Sequence, residues 1–209
     1  MVQAEFFHVN IAIAIFLVEV ELVVGTIFDP PVVRVIAMAS ATLYYYFGFL
    51  AIVTQIFADM RLRLPFNQSS TPKGEIWRPA VLVITEDFGA IELGGERMFR
   101  AHILARYDAS PDFRRMIRNL SWFIGLSEIL SSTVATILIM VLNQDAGYGL
   151  GWGLPHACTA AISVLTWLYV KKCLREEHVR WDEKVALEGV PPQPPRKSVT
   201  IHRTDEEQV

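Results

Sequence analysis

The sequence has little of what marks several common protein classes. Only two of its 209 residues are cysteines, Cys158 and Cys173, which is too few for a disulfide framework or a cysteine-rich metal site. Charged residues make up 20% of the chain and the formal net charge is -3, so no overall basic field is available to hold nucleic acid. Phosphate-binding loops, dinucleotide-binding glycine motifs, serine-hydrolase elbows and zinc-protease motifs are also missing. These absences argue against nucleic-acid binding and against the enzymes that such motifs define.

Long apolar runs are what the sequence does have. Apolar residues make up 52% of the chain, and the mean hydropathy is +0.33. A helix crosses a bilayer with roughly 20 apolar residues, and four runs reach that length, at residues 6–28, 32–57, 120–142 and 150–170. The sequence therefore predicts an all-α, multi-pass membrane protein whose four-span helical bundle occupies residues 1–189. Residues 190–209, rich in proline and mixed charge, predict a disordered tail.

A fifth apolar segment, residues 79–93, is ambiguous. It is only 15 residues long and contains Glu86, Asp87 and Glu92. Acids at mid-membrane are costly unless they face protein or water. The segment therefore predicts a short acidic helix that is re-entrant or interfacial, or else a short fifth span.

Basic residues favour the four-span alternative. Between residues 59 and 119 the chain carries ten lysines and arginines, and with four spans all of them fall on the same side as both termini. The positive-inside rule then places the C-terminus in the cytoplasm, and we expect the endoplasmic reticulum membrane. With five spans, Asn67 in the sequon Asn67-Gln68-Ser69 would face the lumen and become a glycosylation site.

The segment before the third span predicts a helix start. Ser110 followed by Pro111 is typical of an N-cap with proline in the first helical position. The helix is expected to run unbroken into the span and to hold Arg114, Arg115 and Arg118 at the level of the lipid headgroups. Basic residues there attract anionic lipid by about 1 kcal/mol each.

Acidic residues within the apolar segments are the candidates for chemistry. Glu19 lies in the first span and Glu128 in the third, where it shares a stripe of small residues with Gly125, Ser132 and Ala135. We predict that Glu19, Glu86, Asp87 and Glu128 are catalytic groups that converge on a polar cavity. A desolvated carboxyl there would act as a proton donor or base toward a lipophilic substrate. The alternative is that each acid pairs with an arginine or histidine on a neighbouring helix.

Metal and cofactor chemistry have weaker support. Di-iron bundles use Glu-x-x-His on two helices, and the chain has this motif once, at Glu5–His8. Haem ligation would rest on His8 and His156, two isolated histidines that are more often structural. No particular cofactor or metal is implied.

Residues 85–123 carry a resemblance. Their pattern, Thr-Glu-Asp-x-x-Ala running through Gly-Gly into Phe-Arg, Arg-Tyr and Ala-Ser-Pro-x-Phe-Arg, resembles small integral membrane proteins of filamentous fungi. The matching positions are Glu86, Asp87, Gly94, Gly95, Phe99, Arg100, Arg106, Tyr107, Ser110, Pro111, Phe113 and Arg114. The resemblance implies an organism type and a membrane topology but no reaction. Fungal membrane proteins of this size often accompany pathways of secondary metabolism.

Two functions remain open from the sequence. The first is a membrane enzyme that uses its carboxyl groups for acid–base chemistry on a terpenoid or polyketide. The second is a non-catalytic scaffold or accessory subunit that binds a membrane protein partner through its small-residue helix faces. A proton-coupled carrier is disfavoured because no discontinuous helix pair or inverted repeat is evident.

Overall fold

The structure, a computed structural model, describes residues 6–92 and 96–188, and its regular secondary structure there is α-helical. The helices are α1 (Phe6–Thr26), α2 (Val33–Asp59), α3 (Ala80–Glu92), α4 (Glu96–Ala109), α5 (Pro111–Val141) and α6 (Gln144–Glu188). Two compact units are formed, Met1–Lys172 and Cys173–Val209, and all contacts given below lie within the first. The predicted disordered tail, 190–209, lies outside the described residues.

Four of these helices, α1, α2, α5 and α6, are long and apolar enough to cross a membrane. The acidic segment forms α3, whose 13 residues extend roughly 20 Å, less than the thickness of a bilayer core. The predicted fold class is therefore confirmed: an all-α protein with four candidate spans and a short acidic helix.

Two helix starts show how local capping sets the boundaries. The predicted start of α5 is confirmed, because the Ser110 hydroxyl accepts a hydrogen bond from the Phe113 N–H at 3.2 Å and Pro111 occupies the first turn. The fourth helix starts earlier than the apolar run at 150–170 predicts, since α6 already begins at Gln144. The reason is Asn143, whose side-chain oxygen accepts from the Ala146 N–H at 2.9 Å and caps the new helix.

The packing of α2 against α5 depends on paired glycines. A Cβ on Gly48 would lie 3.0 Å from the Gly125 carbonyl oxygen, and a Cβ on Gly125 would lie 3.0 Å from that of Gly48. The two backbones therefore approach as closely as glycine allows. The predicted small-residue stripe on α5 is confirmed as a buried face, which contains Gly125, Glu128, Ser132 and Ala135.

A proline sets the contact between α2 and α6. Pro155 lies inside α6 and has no N–H to donate to the carbonyl of Gly151, four residues earlier. The buried Ser40 hydroxyl on α2 donates to that carbonyl instead, at 2.8 Å. Gly151 permits the approach, because a Cβ there would collide with the Ala37 carbonyl oxygen and come within 2.8 Å of Ile139. The backbone group freed by proline is thus satisfied across the helix interface.

The helices α3 and α4 form an antiparallel hairpin that packs on the end of the bundle. Thr54, near the C-terminus of α2, accepts a hydrogen bond from the Ala80 N–H at 2.9 Å, which anchors the start of α3. At the base of the hairpin, Arg78 donates to both carboxylate oxygens of Asp108, at 3.2 and 3.3 Å. The segment before α3 is fixed by the buried Gln68, whose amide makes two hydrogen bonds with the Arg78 backbone.

The contact at Gly151 predicts a large difference between two glycines of α6. Gly151→Leu should destabilise the protein by about 3 kcal/mol or more, because the side chain meets backbone atoms that cannot move aside. The measurement is thermal unfolding in detergent. Gly153→Leu is the matched control, since a Cβ there has open space within 4 Å, and it should leave the unfolding temperature nearly unchanged. Equal effects of the two substitutions would contradict the close approach.

Candidate functional site

Asp87 lies at the centre of a buried hydrogen-bond network. Its Oδ1 accepts from Arg100 at 2.6 Å, and its Oδ2 accepts from the Ser69 hydroxyl at 2.9 Å and from the Phe7 N–H at 3.2 Å. The Ser69 hydroxyl in turn accepts from the Phe6 N–H at 3.0 Å. Three donors, one of them charged, thus satisfy both oxygens of this carboxyl group. Asp87 and Ser69 also satisfy N–H groups in the first turn of α1, where negative charge is stabilising.

Glu86, the next residue, has a different environment. Its Oε1 accepts from Arg100 at 3.3 Å, the same guanidinium that binds Asp87. Its side chain is 0% exposed, and its Oε2 has no hydrogen-bond partner among the described residues. Burial raises the pKa of Glu86, and the nearby Ser70 hydroxyl and the Arg100 charge oppose that rise without cancelling it. The two adjacent acids therefore differ in the number of donors that each one has.

The hairpin positions Arg100 over both acids. Gly89 on α3 has no side chain, and the ring of Phe99 on α4 occupies the space that a Cβ would fill. This contact brings α4 close to α3 one residue before Arg100. The guanidinium, 12% exposed, is thereby placed against the two buried carboxyl groups.

The other two predicted acids lie elsewhere. Glu128 on α5 is 4% exposed, and its Oε2 accepts from the Thr159 hydroxyl of α6 at 2.9 Å. Its backbone neighbours include Gly48, whose Cβ position is 3.3 Å from the Glu128 Cβ. Glu19 lies on the exposed face of α1. The contacts of Glu128 and those of the Glu86–Asp87 pair share no residue, so the structure brings together two of the four candidates.

A polar group on α6 extends the surroundings of Glu128. The rings of Tyr44 and His156 make an edge-on contact with centroids 5.3 Å apart, and the His156 Nδ1 lies 2.7 Å from the Trp152 carbonyl oxygen. His156 is thus near the Glu128 region but bonded within its own helix. Within the described residues, no three histidine, cysteine, aspartate or glutamate side chains are grouped to hold a metal ion.

Sequence reasoning missed the role of Arg100 and Ser69. Arg100 is four residues after Glu96, a spacing that predicts an ion pair along one helix. The signal that could have found its partners is the Gly94-Gly95 pair, since two glycines predict the end of one helix and leave the next helix free to return toward Glu86. Ser69 carries no such signal, since it lies in a loop 18 residues from Asp87. Asn67, the sequon residue, accepts from the Lys73 N–H at 2.8 Å within the same loop; its glycosylation remains a prediction.

The comparisons with known proteins give one match. A family model described as a domain of unknown function, DUF8766, matches residues 2–181. That range includes the whole Glu86–Asp87–Arg100 network and all four candidate spans except the last residues of α6. No curated protein and no solved structure matches the chain.

The raised pKa of Glu86 predicts a pH dependence of stability. In the unfolded chain Glu86 titrates near its ordinary value of 4.5, whereas the folded protein holds the proton to higher pH. Between these two pKa values the folded state binds more protons, so the free energy of unfolding falls as the pH rises. Glu86→Gln removes this titration. Thermal unfolding across this window should therefore show the variant gaining stability relative to the wild type as the pH rises above about 4.5.

The control for this pH series is Asp29→Asn, which removes an exposed carboxylate from the segment between α1 and α2. Its unfolding temperature should follow that of the wild type across the series. Parallel curves for the wild type and Glu86→Gln would show that Glu86 has the same proton affinity in both states.

Loss of Arg100 should be strongly destabilising. Arg100→Met leaves two buried carboxyl groups without their shared cation, a change that costs about 3–5 kcal/mol when one partner of a buried ion pair is removed. Adding Glu86→Gln and Asp87→Asn should recover part of that loss, because no buried charge remains. Thermal unfolding is again the measurement, and Arg63→Met, at an exposed arginine, is the matched control. A loss no greater than that of the control would contradict the assignment.

Proposed function

The chain belongs to the DUF8766 family, and we propose that it is a membrane enzyme in which Glu86 donates a proton to a lipophilic small molecule. The observation that carries the proposal is the fully buried Glu86 side chain, whose Oε2 has no partner among the described residues. A buried group with unused hydrogen-bonding capacity costs stability. Such a cost is characteristic of groups kept for chemistry.

The two acids would have complementary roles. Glu86, whose pKa burial raises, is the proton donor through Oε2. Asp87 accepts hydrogen bonds from three donors and holds Arg100 and the start of α1 in place. Adjacent carboxyl groups in unequal environments are a recurrent arrangement for acid–base catalysis. Asp87 is in this view a positioning residue for Glu86.

The reaction class follows from proton transfer alone. Glu86 would protonate a double bond or a carbonyl oxygen of the substrate, and a later loss of a proton from the product would restore the carboxyl group. Isomerisations and cyclisations balance in this way without an oxidant or a cofactor. They suit terpenoid or polyketide substrates, which carry such groups and dissolve in the bilayer.

The surroundings support an apolar substrate. A buried apolar cluster includes residues of α3 that precede the acids. It consists of Phe6, Ala80 and Val83, with Leu50 and Ile84 packed against it. Glu86 is fully enclosed in this conformation, so a substrate reaches Oε2 only when α4 moves away from α3. Desolvation on closure would strengthen every electrostatic contact at the site.

The orientation and the location of the protein belong to the same proposal. Ten basic residues between 59 and 119 support a cytoplasmic C-terminus, and we place the protein in the endoplasmic reticulum membrane. Catalytic roles for Glu19 and Glu128 remain predictions on which the proposed chemistry does not depend.

The test is chemical profiling of a host that expresses the protein. Lipophilic extracts of cells with the wild type should contain a compound that disappears or falls at least about a hundredfold with Glu86→Gln, the loss typical of removing a general acid. Protein amounts in the membrane fraction are compared on the same samples. Glu21→Gln is the control, because the half-buried Glu21 also has an oxygen without a partner among the described residues but lies on α1, away from the hairpin.

The alternative function makes a different prediction for the same samples. A scaffold or accessory subunit would leave the extract unchanged in Glu86→Gln and would co-purify with a membrane protein in a fixed ratio. An unchanged extract at equal protein amount therefore overturns the enzymatic proposal.

A further inference from the structure

A polar cleft lies at the end of the bundle, away from the Glu86–Asp87 pair. It has a volume of about 730 Å³ and is formed by the C-terminal end of α2, the segment before α3, the end of α4 and the first turns of α5. Pockets that hold small ligands are of this size. Five arginines line it: Arg61, Arg78, Arg114, Arg115 and Arg118.

The cleft carries an excess of positive charge. Its acidic residues are Asp59, Glu75 and Asp108, two fewer than its arginines. Two ion pairs use Asp108 and Asp59, which bind Arg78 at 3.2 Å and Arg118 at 2.7 Å. Arg114 donates to backbone carbonyls of Tyr107 and Asp108.

Two of the guanidinium groups have no polar partner among the described residues. Arg61 follows the end of α2 and Arg115 lies on α5, and neither guanidinium group forms a hydrogen bond or ion pair within the described residues. Fixed guanidinium groups with free donors are the usual means of binding phosphate. The cleft therefore has both the charge and the donors for an anion.

A buried acceptor adds a second polar feature. Gln55 lines the cleft and is 2% exposed, and its amide nitrogen donates to Asp59 at 3.1 Å. Its Oε1 is left without a partner among the described residues.

The position of the cleft along the helices indicates which kind of molecule would bind there. It lies where the apolar run of α2 ends and that of α5 begins, since Leu120, the first residue of the latter run, is two residues after Arg118 and five after Arg115. In a protein whose spans cross the bilayer, this is the level of the headgroups. We propose that the cleft binds the phosphate group of an amphiphile, with Arg61 and Arg115 as its main contacts and the acyl chains along the apolar helix surface.

The same phosphate chemistry has two sources, an anionic phospholipid or a soluble phosphate ester. The probe is short-chain phosphatidylglycerol, which carries a phosphate and hydroxyl groups, added to the purified protein in neutral detergent. Its unfolding temperature should rise and saturate, since a ligand of the folded state stabilises it by mass action. Inorganic phosphate is titrated in parallel, alone and as a competitor.

The variants separate this site from general electrostatic attraction. In Arg61→Gln/Arg115→Gln the midpoint of the phosphatidylglycerol titration should rise by about tenfold or more, since hydrogen bonds to charged groups are lost. The control is Arg63→Gln/Lys73→Gln, which removes the same charge from the neighbouring loop outside the cleft. It should shift the midpoint by no more than about twofold, as exposed charges do.

Each outcome decides the proposal. Saturation by phosphatidylglycerol, with little competition from inorganic phosphate, identifies a membrane lipid. Full competition by inorganic phosphate identifies a soluble phosphate ester and keeps the site. Equal shifts in the two double variants, or no saturation in the wild type, overturn it. None of these results depends on Glu86, so they are separate from the test of the proposed enzyme.

Discussion

Arg100 is the interaction on which the folded hairpin and its surroundings depend. One guanidinium binds two carboxyl groups that are almost completely buried, and Asp87 extends the network to Ser69 and to the first turn of α1. Four segments that are distant in the sequence are thereby joined around a single cation. Because these groups are buried, removing the partner of any one of them costs several kcal/mol of stability. The network therefore fixes where α3, α4 and the loop before them lie against α1.

The same constraint acts on the backbone. A protein in an apolar environment has to satisfy its polar groups internally, and Pro155 creates a carbonyl that its own helix cannot satisfy. Ser40 meets that requirement from α2, while Gly151 gives the space to do so. Paired glycines at positions 48 and 125 allow a similarly close approach between α2 and α5. Small residues thus allow particular helices to come into close contact, and polar groups fix how those helices are aligned along their axes.

Much of the fold could be predicted from the sequence because hydropathy and capping act locally. Four long apolar runs gave the candidate spans, and Ser110-Pro111 gave the start of α5. Which side of each span is buried could not be predicted in the same way. The lipid-facing side of a span is as apolar as its buried side, so the pattern around Glu19 does not show that this residue lies on the exposed face of α1. The partners of Glu86 depend on how α4 folds back, which is a tertiary property. Asn143 shows the converse error, since a polar cluster that is typical of a loop serves as a helix cap.

The two proposed sites place opposite demands on one hairpin. Proton transfer requires α4 to separate from α3 near Glu86, whereas the phosphate cleft requires the base of the hairpin to stay closed, because Arg78 and Asp108 line it. Both demands are met if the hairpin opens about its base. The Arg78–Asp108 ion pair lies there, and Arg100 contacts the acids about eight residues farther along α3 and α4, roughly 12 Å away. An opening of this kind breaks the contacts of Arg100 with the acids and of the Phe99 ring with Gly89, and it leaves the anchor of Ala80 on Thr54 intact. A ligand bound between Arg61 and Arg115 would then stabilise the closed base of the hairpin. It would not oppose the separation of α4 from α3 near Glu86.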